Sequence, residues 1–79
     1  MTKKIICNKD TAIGRLRAKI HFTQTELGEM LTVGQNTISQ WEHHVMAPNL
    51  RRMQQLVEIA KRYGVRMSLT SLCKEYANM

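Results

Sequence analysis

No stretch of about 18 apolar residues runs through this 79-residue chain, so nothing in it has the length to cross a bilayer as a helix. Its start, Met1-Thr2-Lys3-Lys4-Ile5-Ile6-Cys7, lacks the apolar core of a signal peptide, and the expectation is a cytoplasmic protein with no membrane partner. Cysteine is scarce: Cys7 and Cys73 stand near opposite ends with no Cys-x-x-Cys and no paired-histidine spacing. That excludes a zinc site and leaves two reduced thiols, read as small, partly buried apolar residues. His21, His43 and His44 have no convergent acid or thiol set and receive no metal or catalytic role. No Ser-His-Asp arrangement, phosphate-binding glycine loop or paired carboxylates can be assembled, so the chain reads as a non-enzyme with no cofactor.

Acidic residues are the other shortage. Six Asp and Glu stand against twelve Lys and Arg, a formal charge of +6 with an isoelectric point near 9.8. Such a balance suits a polyanionic partner. A chain this short buries a modest fraction of its surface, which makes oligomerisation an expectation from size alone. No repeat, low-complexity stretch or linker divides it, so residues 1–79 read as one domain, with a core over 11–65 and a dimerisation tail over 66–79.

Residues 3–8 are compatible with a frayed arm or a brief edge strand. Thr11 is an N-cap for a helix to about Ile20, because Ile13, Leu16 and Ile20 recur at spacings of three and four. Thr23-Gln24-Thr25-Glu26 is a capping box opening a second helix with Leu27, Met30 and Leu31 as its apolar stripe. Thr32-Val33-Gly34 makes a tight turn, and a third helix resumes at Gln35 with Ile38 and Trp41 on one side. A loop from His43 closes at Pro48, and Asn49 caps a fourth helix through Met53, Leu56, Val57 and Ala60 to Tyr63, stopped by Gly64. Trp41 and Met53 at helical spacing are read as core.

Two short helices joined by a three-residue turn form a helix-turn-helix, which presents its second helix to a DNA major groove. That helix turns Gln35, Asn36, Ser39 and Gln40 outward, and Asn or Gln can pair bidentately with adenine N6 and N7. On an isolated helix these residues would be mere solvated surface. The basic charge and the capped helix before them turn the reading towards double-stranded DNA. Lys9, Arg15, Lys19, Arg51 and Arg52 are expected around the reading helix as phosphate partners, as is the helix N-terminus at Asn49.

Residues 13–65 resemble the lambda-repressor-like, Cro and Xre helix-turn-helix family, on Phe22-Thr23-Gln24-Thr25-Glu26-Leu27, Thr37-Ile38-Ser39-Gln40-Trp41-Glu42 and Pro48. The resemblance implies an all-α domain of four or five helices that binds a palindromic operator as a homodimeric repressor. It places Gln24, Gln35, Asn36 and Gln40 near bases or phosphates and pairs Arg17 with Glu42; Thr37 and Ser39 of the same helix join the candidate DNA contacts, and His43 or His44 is a candidate phosphate contact. Two positions depart from the pattern. Gly28 stands where a small residue, usually Ala, lets the two helices approach; the turn glycine falls on Thr32, with glycine two residues later at Gly34, which allows a turn shifted by one residue.

The tail carries two readings. Val65, Met67 and Leu69 alternate as in a strand, similar to the dimer-interface strand of HipB-type antitoxins, whereas Leu69, Leu72, Cys73 and Tyr76 suit a fifth helix capped at Ser68 or Thr70. The first favours an autoregulatory antitoxin with a toxin partner, the second a stand-alone repressor. A protein-interaction module for an acidic partner, with weak DNA binding, is the alternative from a different class. The polar face argues against it, because a protein hot spot favours exposed aromatics or Arg.

Overall fold

Four of the five helices in the computed structural model, which describes residues 8–77, begin at a side chain that takes up a free backbone amide. Thr11 accepts from the amide of Gly14 to open α1 (Ala12–Ile20), and Thr23 and Glu26 exchange both bonds of a capping box at the start of α2 (Gln24–Leu31). Asn49 accepts from Arg52 to open α4 (Leu50–Arg62), and Ser68 from Ser71 to open α5 (Leu69–Tyr76). Only α3 (Gln35–Glu42), preceded by Gly34, starts without a side-chain cap. No described residue is in a strand, and no described helix is long and apolar enough to cross a membrane. The expectations for Cys7 and for residues 3–7 lie outside the described residues.

One apolar cluster holds the helices together. Ile13 and Leu16 of α1, Leu27 and Leu31 of α2, Ile38 and Trp41 of α3, Met53, Leu56 and Ile59 of α4 and Leu72 and Tyr76 of α5 are all buried in it. The strand reading of the tail is corrected: residues 65–68 form an irregular link, and the helix begins at the Ser68 cap. The alternation and the helical spacing thus occupy successive segments, with Ser68 as the switch. What fixes α5 is distant in sequence. Leu72 is fully buried, and the Tyr76 hydroxyl donates to the Trp41 carbonyl at 2.7 Å. Burial, with the neighbouring Glu75 charge, pushes the Tyr76 phenol well above its ordinary pKa, so it remains a donor. Cys73, expected to be partly buried, stands exposed on α5.

Two glycines are steric requirements. A Cβ on Gly14 would lie 1.8 Å from the Asn8 carbonyl oxygen, because the segment entering α1 crosses directly over it. At Gly28 a Cβ would come within 2.6 Å of the Val33 carbonyl oxygen, so the turn admits glycine and would have to shift for the expected alanine. The turn itself is not displaced. Thr32 adopts the left-handed conformation at φ 60°, and Gly34 is extended at φ −75°. A β-branched residue therefore occupies the position that favours glycine.

Thr32→Gly is expected to stabilise the fold by about 1 kcal/mol by relieving that strain, raising Tm by about 4–8 °C. Gly14→Ala is expected to destabilise it by about 1–3 kcal/mol in spite of better helix propensity. Thermal unfolding of the two variants tests both signs.

Candidate nucleic-acid interface

The geometry of α3 starts from a buried charge. Arg17, on the inner face of α1, meets Glu42, the last residue of α3, in a two-pronged pair: Nε to Oε2 at 2.6 Å and Nη2 to Oε1 at 2.9 Å. The side chains are 2% and 1% exposed. Arg17 Nη1 also donates to the Phe22 carbonyl at 3.0 Å, joining the α1–α2 link to the same guanidinium. The Glu42 backbone carbonyl accepts from Asn8 Nδ2 at 2.8 Å, which fastens the segment before α1 to the end of α3.

From this pair a polar chain leads outward. Gln24, at the first position of α2, turns its Nε2 to Glu42 Oε1 at 3.5 Å, so its carbonyl oxygen faces away and accepts from Gln35 Nε2 at 2.7 Å. A buried carboxylate thereby sets the orientation of two successive amides. Gln35, exposed at the first position of α3, keeps its Oε1 and one amide proton for an outside group. Asn36 and Gln40 are exposed on the same helix, and Thr37 and Ser39 are half-buried. His43, exposed, folds back so that Nδ1 lies 2.8 Å from the Ser39 carbonyl oxygen.

The cations are distributed differently from the sequence expectation. Lys9, Arg15 and Lys19 line a hollow that contains no residue of α2 or α3. Arg51 is exposed on the first turn of α4, beside the α2 residues Met30 and Leu31. Arg52 is half-buried and donates to the Leu31 carbonyl and, at 3.0 Å, to Gln55, so it caps the end of α2. His44 does not face the polar cluster: its Nε2 is 3.1 Å from Glu75 Oε2, and its ring meets Tyr76 edge-on. Among the described residues no group of His, Cys, Asp or Glu has metal-binding geometry.

A family model described as helix-turn-helix matches residues 13–69, well over half of the chain. The chain belongs to the Xre and lambda-repressor-like helix-turn-helix family. No curated protein and no solved structure matches it. As a helix-turn-helix protein of this family it is a DNA-binding regulator of transcription, in a family of DNA-binding domains rather than of enzymes.

Sequence reasoning missed three anchors of this helix-turn-helix. Gly14 offered a signal, since a glycine inside a helical pattern costs about 1 kcal/mol and so invites a packing reason. Asn8 and the Tyr76 contact to Trp41 offered none, because each joins residues more than 30 positions apart.

Arg17→Ala leaves Glu42 buried without its partner and is expected to lower stability by about 3–5 kcal/mol. Denaturant unfolding of the two proteins measures this, and an unchanged midpoint would show that the pair does not hold α3.

Proposed function

We propose that this protein is a sequence-specific repressor that binds a palindromic operator as a homodimer, with α3 in the major groove. The supporting observation is the Gln24–Gln35 hydrogen bond at 2.7 Å, oriented from Glu42. It leaves Gln35 with an acceptor and a donor side by side, the pair that adenine N6 and N7 require. Asn36 and Gln40 add two more amides on the exposed face, with Thr37 and Ser39 at its margin. Gln24 serves chiefly as the support of Gln35. Arg51, exposed at the start of α4, and His43, at the end of α3, are the phosphate partners on this reading. Arg52 acts mainly through the Leu31 carbonyl, and Lys19 belongs to a separate face. The antitoxin setting took its support from a C-terminal strand; with α5 in that place, a stand-alone repressor is the reading preferred here.

Selection of bound duplexes from a random library, repeated across salt concentrations, tests this. The expected result is a palindrome with half-sites about one helical turn apart. Gln35→Ala and Gln40→Ala should each change preference at particular base pairs by about 1–3 kcal/mol, whereas Arg51→Ala should weaken all sequences and flatten the salt dependence. Sequence-blind binding lost near physiological salt would refute the reading.

A further inference from the structure

A second surface lies apart from the reading helix. Arg15, Leu16 and Lys19 fall along one stripe of α1, and the link between α4 and α5 faces them with Val65, Arg66 and Met67. Between the two walls is a cleft of about 430 Å³. Half-buried Val65 and Met67 supply apolar lining over the fully buried Leu16, and exposed Arg15, Lys19 and Arg66 supply the cations. An adjoining hollow shares Arg15 and Lys19 and adds Lys9. No acidic residue lines either. Glu75, the acid that reaches α1, is engaged by the Ala12 amide at 2.9 Å and by His44 at 3.1 Å.

We propose that this cleft is a docking groove for an acidic segment of another protein, one that carries apolar side chains between its carboxylates. Three cations in the cleft and Lys9 beside it, with no lining acid, favour a negatively charged occupant. The apolar lining decides which kind. A DNA backbone offers phosphates but no apolar group to cover Val65 and Met67, whereas an acidic peptide with leucine-like side chains satisfies the rim and the lining together. A second copy of this chain fits the cations less well, since its six acidic residues are scattered along the sequence and outnumbered by twelve basic ones. No residue of α2 or α3 takes part, so such a partner and DNA can be held at the same time.

The test is fluorescence anisotropy of a labelled hexapeptide of alternating glutamate and leucine against the full chain, in the absence of DNA. The double variant Arg15→Gln, Arg66→Gln changes only exposed side chains, and circular dichroism checks that its helices persist. It should bind the peptide about tenfold more weakly, as should Lys19→Gln by a smaller factor. A glutamate and serine hexapeptide should bind more weakly than the leucine one, and duplex DNA should not displace either. Equal binding by the double variant, or displacement of the peptide by duplex, would overturn the proposal. Neither outcome bears on operator recognition by α3, which the library selection reads separately.

Discussion

The ion pair between Arg17 and Glu42 is the constraint on which the rest of the structure depends. Two charges almost wholly removed from water are costly to bury, and their attraction offsets that cost only when geometry and further hydrogen bonds satisfy the remaining polar atoms. Here they do. Arg17 serves the Phe22 carbonyl as well as both carboxylate oxygens, and no buried side-chain nitrogen or oxygen is left unpartnered among the described residues. An apolar contact at this place would tolerate sliding of α3 against α1. A two-pronged pair does not, because a small displacement breaks two directional bonds at once.

From that fixed point the domain is tied in two directions. Inward, the end of α3 is held by Asn8 on the Glu42 carbonyl and by Tyr76 on the Trp41 carbonyl, so segments from both ends of the described chain close on one turn of backbone. Unpaired carbonyls at a helix C-terminus need partners when they are buried. Two long-range side chains supply them, Tyr76 beside the His44 amide on the Trp41 carbonyl, and this draws α5 into the packed unit. Outward, the order passes through Gln24 to Gln35.

Local features of this fold were legible in the sequence because they are written at short spacing. The Thr11, Thr23 and Asn49 caps, the apolar stripes of α1 to α4 and the turn all depend on residues three or four apart. The tail was ambiguous because Leu69 satisfied both periods, and the choice lay with Leu72 and Tyr76 finding space on the core. The distribution of the cations was not legible at all. Lys19 and Arg51 are both basic residues on amphipathic helices, but α1 turns Lys19 towards residues 65–68 and α4 sets Arg51 beside α2, a difference made by tertiary packing alone. Thr32 shows the reverse case: its sequence position disagreed with the glycine pattern, and the backbone kept the left-handed conformation regardless. The turn around it is tied down by the Val33 amide, which donates to the Gly28 carbonyl at 2.8 Å.

The reading helix has one further property that follows from its residues. Among Gln35, Asn36, Thr37, Ser39 and Gln40 there is no charge, and the one charged residue of α3, Glu42, faces the core. On the proposed reading α3 therefore adds little to sequence-independent attraction, which rests on cations carried by other helices. Neutral hydrogen bonds to bases contribute modestly once exchanged with water, and a freely rotating glutamine would lose much of that gain in side-chain entropy. Holding Gln35 through Gln24 removes part of that loss before DNA arrives. The buried ion pair thus does two things with one set of atoms: it fixes α3, and through Gln24 it orders the amide that the proposed reading sets against a base.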